Sequence, residues 1–226
     1  MPRLSVIVPC LNEAAVIAST LRRLRDAGDG EIVVVDGGSD DATVAVAGPL
    51  ADIVIQASRG RAAQMNAGAA VAHGDILLFL HADTLLPSHF DDVVAEACAD
   101  AAVAGGRFDV ELVPSSPLLW LTGELMNRRS RLSGIATGDQ AIFVRRAVFE
   151  KLGGYAALPL MEDIDFSRRL KRAGKIACLR QRVQTSSRRW RERGIARTIL
   201  LMWSLRLLYF CGVSAERLRR LYDDVR

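Results

Sequence analysis

Cysteine, histidine and aromatic residues are scarce in this chain: four Cys, three His and 6% Phe, Trp and Tyr among 226 residues. Cys10, Cys98, Cys178 and Cys211 lie far apart and form no CxxC pair. That excludes a disulfide framework and a cysteine-based zinc site, and it points to free thiols in a reducing, cytoplasmic setting. His73, His81 and His89 lack the spacing of a metal triad. There is no GxGxxG after the first apolar segment, no GxxxxGKS or GxxxxGKT, and no GxSxG. A dinucleotide fingerprint, a P-loop and a nucleophile elbow are therefore all missing. The N-terminus also lacks the apolar core of about 7–15 residues that marks a secretory signal.

Hydrophobic residues make up 50% of the chain and charged residues 25%. This balance excludes disordered and fibrous classes. No linker or internal repeat interrupts the chain, so one domain over residues 1–226 is expected. Charge is divided unevenly. Residues 1–113 hold 7 basic and 16 acidic side chains, whereas residues 168–226 hold 17 basic and 4 acidic ones. Such a basic tail suits an anionic partner.

Short apolar runs alternate with helical periodicity in the first half. Strands are expected at Leu4–Val8, Glu31–Val35, Ile53–Gln56 and Ile76–Leu80. Helices are expected from Glu13 toward Ala27 with Asn12 as cap, at Thr43–Ala47, and at Arg61–Ala72. This alternation predicts an α/β fold whose mostly parallel central sheet is flanked by helices. The second half predicts helices near Ser88–Ala99, Pro117–Arg129 and Asp163–Ala173, an extended stretch Gly106–Val113 and a strand Gln140–Val144. The run Thr198–Val213 is sixteen residues long with Arg206 inside. It is short for a span of about 20 residues, so a helix packed on the domain, on a twin subunit or on a membrane surface is expected.

In parallel α/β sheets, ligands bind beyond the carboxyl ends of the strands. Asn12 and Glu13 follow the first strand, Asp36 the second, and His81-Ala82-Asp83 the fourth. Each cluster alone is ordinary turn chemistry. Together they mark one rim as a site.

The succession VIVPCLNE, VVVDGGSDD, GRAAQMNAGA, LLFLHADT and MEDIDFSRRL, from residue 4 to about residue 172, resembles the inverting nucleotide-sugar glycosyltransferases of family 2. It looks closest to a bacterial subgroup of that family with poorly assigned acceptors. The resemblance implies a GT-A-type fold with a nucleotide-binding half at 1–100, an acceptor and catalytic half at 101–197, and a basic helical C-terminal segment at 198–226. It places Pro9, Asn12, Glu13, Asp36, Arg61, Gln64, Asn66 and Asp83 around the nucleotide and its diphosphate. An aspartate such as Asp36 can accept ring N–H or ribose hydroxyl donors. An arginine such as Arg61 can fork onto phosphate oxygens.

His81-Ala82-Asp83 occupies the place of the family's D-x-D motif, with histidine in place of the first aspartate. The resemblance assigns Asp83, together with His81, to a divalent cation, Mn²⁺ or Mg²⁺, that neutralises the departing diphosphate. Glu162-Asp163 resembles the acidic pair that precedes a helix in the family, which makes Asp163 the expected base and Glu162 an acceptor contact or substitute. Asp139 falls on an acceptor-side segment. Arg189 and Trp190 stand near the place of a Q-x-x-R-W motif, but Gln184 is too far upstream to complete it. The implied partners are a nucleoside diphosphate sugar and a hydroxyl acceptor, with a lipid-linked acceptor, an anionic membrane surface and a homodimer as further expectations, and no nucleic acid. Two other readings stay open: a sugar-phosphate nucleotidylyltransferase, and a catalytically dead module that binds nucleotide or docks on a membrane.

Overall fold

A computed structural model describes residues 3–224, apart from the side chains of Arg189, Arg193, Asp223 and Asp224. The first half runs β1 (Leu4–Cys10), α1 (Ala14–Ala27), β2 (Glu31–Asp36), α2 (Thr43–Ala47), β3 (Ile53–Gln56), α3 (Arg61–Val71), β4 (Ile76–Phe79), β5 (Thr84–Leu85) and α4 (Phe90–Ala97). The second half runs β6 (Val103–Val113), α5 (Pro117–Ser133), a 3-10 turn at Gly138–Gln140, β7 (Ile142–Arg145), α6 (Arg146–Lys151), α7 (Glu162–Ala173), β8 (Lys175–Ser186), α8 (Arg188–Arg193), α9 (Ile195–Phe210) and α10 (Ala215–Asp224).

These strands form one sheet in the order β3-β2-β1-β4-β7-β6-β8-β5. The β3-β2-β1-β4 portion is parallel, as the apolar runs require of strands covered on both faces. Beyond β4 the sheet turns mixed: β7 runs antiparallel to both β4 and β6, while β8 lies parallel to β6. Alternate side chains of β1 feed two cores. Val6 and Val8 pack with Ile17, Leu21 and Leu24 of α1 and with Phe90 of α4. Ile7 packs with Met65 and Ala69 of α3, and the same core holds Phe149 and Phe166.

Gly68 lets α3 come close to this sheet. A Cβ there would stand 2.5 Å from Ile7 Cγ2 and 2.8 Å from Val35 Cγ2. The C-terminal end of α3 is fixed by Arg146, which donates to the carbonyls of Ala69, Ala72 and Gly74 at 2.7–3.0 Å.

Several expectations need correction. Asn12 does not cap α1: it has φ 55°, and its Oδ1 accepts the Asp40 N–H at 2.9 Å. Gln140 lies in the 3-10 turn, so the strand after it begins at Ile142. The extended stretch after α4 starts at Val103, and α5 continues to Ser133. The twelve-residue β8 is missing from the sequence reading: its apolar stretch Ile176–Leu179 is short and only half-buried, and polar residues fill most of the strand after it. The helix expected in the run Thr198–Val213 is α9, which packs through Leu205 against Met161, Ile164 and Leu218 and leaves Trp203, Leu207 and Phe210 exposed.

Candidate active site

The carboxyl ends of β1 and β4, the 3-10 turn and the start of α7 converge on one cleft. Its lining includes Pro9, Met65, His81, Tyr155, Glu162 and Asp163. Gly138 holds two of these elements together. Its N–H donates to Asp163 Oδ2 at 2.9 Å, and a Cβ on it would meet His81 Nε2 at 2.5 Å. No side chain other than hydrogen fits between the histidine ring and this turn. His81 Nδ1 in turn lies 3.2 Å from Asp139 Oδ1.

Met161 stands before the acidic pair with φ 69°, and its side chain is buried. A non-glycine residue in the left-handed region costs on the order of 1 kcal/mol or more, and such strain gathers at functional sites. Here it sets the angle at which α7 delivers Glu162 and Asp163.

The electrostatics are those of an acidic cluster faced by cations. Burial first, and the neighbouring Asp163 charge second, push the Glu162 carboxyl above its ordinary range, with Arg61 opposing them. Desolvation would likewise raise Asp139, but the hydrogen bond and charge of His81, with Arg61 and Arg206 behind it, hold it down at about 2. Desolvation by the surrounding protein would lower the Arg61 guanidinium, which is solvent-exposed on α3, yet the charges of Glu162, Asp139 and Asp163 outweigh it and raise it. Tyr155 is buried against Phe79, Phe149 and Phe166, and its phenol is raised by burial and by the two acids beside it.

The remaining sequence-predicted residues divide into groups that meet the cleft and groups that shape it. Asp36 is buried, and its Oδ2 accepts the N–H groups of Gly38 and Ser39 at 2.9 Å. Asn12 and Glu13 donate their main-chain N–H groups to Ser39 and Thr43, lacing the loop after β1 to the loop after β2. Gln64 is 4% exposed and divides Nε2 between the carbonyls of Cys10 and Val35, at 2.8 and 2.9 Å. Asn66 braces the main chain of Tyr155 through both its amide atoms. Gln64 and Asn66 therefore spend their amides on holding strand ends and the Tyr155 loop.

Asp83 sits half-buried in the turn between β4 and β5, a turn pinned by the Thr20 hydroxyl on the Ala82 carbonyl at 2.6 Å. Trp190 is half-buried on α8, and no ring or hydrogen-bond contact joins it to the cleft among the described residues. The side chain of Arg189 lies outside the described residues.

Among the described residues, no three His, Cys, Asp or Glu side chains gather to hold a metal. His81 is committed to Asp139. The Asp83 carboxylate takes no protein hydrogen bond among the described residues. One free carboxylate at the rim fits a hard cation that takes its other oxygens from a substrate diphosphate and water.

Sequence reasoning missed Arg129 and Arg206, which come from α5 and α9 and whose charges are felt by Asp139 or Asp163. The available signal for Arg206 was a single cation inside an otherwise apolar helix. A cavity of about 560 Å³ lies elsewhere, at the opposite ends of the strands, lined by Arg3, Glu31, Asp52, His73 and Asp91. Its charges are largely paired with one another, as in Arg25–Asp52 and His73–Glu31.

The family model for glycosyl transferase family 2 matches residues 5–153. A Mycobacterium bovis (strain BCG) protein named a PGL/p-HBAD biosynthesis glycosyltransferase is 33% identical over 180 residues, covering 74% of this chain and 68% of its own. The structure of Staphylococcus aureus TarS 1–349 superposes with a TM-score of 0.66 at 19% identity, over 82% of this chain and 60% of that one. The mannosyltransferase PcManGT from Pyrobaculum calidifontis, solved with GDP-Man and Mn²⁺, superposes with a TM-score of 0.64 at 24% identity, over 81% of this chain and 56% of that one. This chain thus spans less than two thirds of those solved chains, and at these identities they define its GT-A fold.

Proposed function

This chain belongs to glycosyl transferase family 2, and we propose that it moves a sugar from a nucleoside diphosphate to an acceptor hydroxyl with inversion. The observation that carries this reading is the cleft itself, where Asp163 stands between the strand-end rim and the Asp139 turn, oriented by the Gly138 N–H at 2.9 Å.

Residues 1–100 form the donor half in this reading and residues 101–197 the acceptor half. Arg61 forks onto phosphate oxygens, and the laced loops of Asn12, Glu13 and Asp36 frame the nucleoside. Gln64 and Asn66 act by positioning. Asp163 takes the acceptor hydroxyl's proton as that oxygen attacks the anomeric carbon from the face opposite the diphosphate. The new C–O bond forms, the bond to the diphosphate oxygen breaks, and the nucleoside diphosphate leaves with the electron pair. Glu162, buried beside Asp163 with its carboxyl raised by that burial and by the Asp163 charge, serves as an acceptor contact. A divalent cation held by Asp83 would supply positive charge to the leaving diphosphate.

Peripheral attachment to an anionic membrane is supported by exposed apolar stripes at 3-4 spacing on two helices. These are Leu118, Leu121 and Leu125 on α5, and Leu200, Trp203, Leu207 and Phe210 on α9. Among the described residues no helix is long and apolar enough to cross a membrane. The basic tail provides the matching charge.

Donor hydrolysis tests the transferase reading without a known acceptor. Nucleoside diphosphate release should be measured over a panel of donor sugars, with proton NMR of the first-formed anomer. Release of the inverted sugar is expected. Release of the retained anomer would overturn inversion, and no release from any donor would overturn sugar transfer.

A further inference from the structure

Two arginines from the second half of the chain, Arg129 and Arg206, feel the charges of Asp139 and Asp163 and form no ion pair with them among the described residues. Leu205, beside Arg206, is buried with Met161 and Ile164, the residues on either side of Glu162-Asp163. Ser130, beside Arg129, accepts from Gln140 Nε2 at 3.0 Å, next to Asp139. The main chain of both arginines thus runs beside the elements that carry Glu162-Asp163 and Asp139. Nε and Nη2 of Arg129 and Nε of Arg206 are buried without a hydrogen-bond partner, and neither residue forms an ion pair among the described residues.

This arrangement is costly as it stands. A buried N–H of a charged group left unsatisfied costs more than an ordinary lost hydrogen bond. Burial first, and the charge of Arg206 second, bring Arg129 down to about 10. The fields of Asp163 and Asp139 offset part of this, but neither carboxylate bonds to either arginine among the described residues. One kind of ligand resolves both costs together: an oxyanion with several acceptors, which can take forked N–H donors and bridge two positive charges.

We propose that Arg129 and Arg206 form an anion subsite on the acceptor side of Asp163, and that the acceptor carries a phosphate group. The inference rests on the transferase reading, because Asp163 defines which side is the acceptor's. Arg61 reaches the acids from α3, in the donor half, whereas Arg129 and Arg206 come from α5 and α9. The same two helices carry the exposed apolar stripes on their outer faces, so a phosphate ester on a lipid and a soluble phosphate ester both meet the chemistry.

The test is calorimetry on the full chain saturated with UDP or GDP and Mn²⁺, titrated with inorganic phosphate and then with hexyl phosphate. Phosphate should bind while nucleotide is present. Arg206→Gln and Arg129→Gln should each weaken it about tenfold or more, with nucleotide affinity unchanged. Arg206→Lys, which keeps the charge but loses the fork, should fall between, and it guards against misfolding of the glutamine variants. Tighter binding of hexyl phosphate than of phosphate identifies a lipid headgroup, and equal binding identifies a soluble ester. No phosphate binding to the saturated protein would overturn the proposal. So would variants that weaken UDP but not uridine, since the arginines would then hold the donor's diphosphate. If no nucleotide binds the parent, the transferase reading fails separately, and titration of phosphate into the bare protein still reports on the arginines.

Discussion

His81 Nδ1 lies 3.2 Å from Asp139 Oδ1, tying the end of β4 to the turn that precedes β7. Family resemblance assigns position 81 to a cation-binding acid, whereas here the side chain is used to hold a second carboxylate. Asp139 is consequently kept ionised to about pH 2. A carboxyl whose folded value is depressed contributes stability above its unfolded value of about 3.9, and loses it as pH falls toward the folded value. Asp139→Asn should therefore be less stable than the parent by its full amount near pH 5. The gap should close between about pH 4 and pH 2, as followed by urea midpoints. A gap that stays constant down to pH 2 would show that His81 does not stabilise the charged form.

Glu162 has the opposite sign. Its folded value is raised, so its ionisation weakens the fold as pH rises past the unfolded value of about 4.3. Glu162→Gln should melt higher than the parent at pH 7 and match it below about pH 4. A variant no more stable at pH 7 would contradict the burial and repulsion argued for this pair.

Asp83→Ala should uncouple nucleotide from cation. Mn²⁺ is expected to strengthen UDP or GDP binding to the parent, and the variant should lose that gain while keeping its fold. Equal calorimetric affinities for parent and variant in Mn²⁺ would remove Asp83 from the cation's site.

The exposed stripes of α5 and α9 lead to a lipid experiment. Co-sedimentation with phosphatidylglycerol vesicles should be clear at low salt and weaken at high salt, because each basic residue near such a surface contributes about 1 kcal/mol within a Debye length. Trp203→Ser with Leu207→Ser should weaken it further, since both side chains are more than 60% exposed. A protein that stays in the supernatant at low salt would leave these stripes without a lipid role.

Much of the donor half was legible because burial on both faces forces continuous apolar strands. The limits expected for α2 and β3 coincide with those found. The second half was not, because β8 buries few of its twelve residues and its one apolar stretch, Ile176–Leu179, gives way to polar residues. The site was legible as residue types at strand ends, so Glu162, Asp163, His81 and Pro9 meet in one cleft. Their division of labour was not. That Gln64 bonds two carbonyls, that His81 faces Asp139 and that Arg206 turns inward from an apolar helix depend on tertiary placement.

Asp163→Asn should lower donor turnover by about 10²–10⁴ with nucleotide affinity retained, as loss of a general base does. Turnover at the parent rate would move the base to Glu162 or Asp139.

Thermal shift of the parent chain over a panel of nucleoside diphosphate sugars, with and without Mn²⁺, tests sugar transfer most directly. A ligand at about 100 times its Kd adds about 2.7 kcal/mol, which for a chain of this size raises Tm by roughly 5–10 °C. At least one donor sugar should give such a shift in Mn²⁺, and Asp163→Asn should give the same shift. If no nucleoside diphosphate sugar moves Tm with or without Mn²⁺, the cleft is not a donor site and the assignment of sugar transfer is wrong.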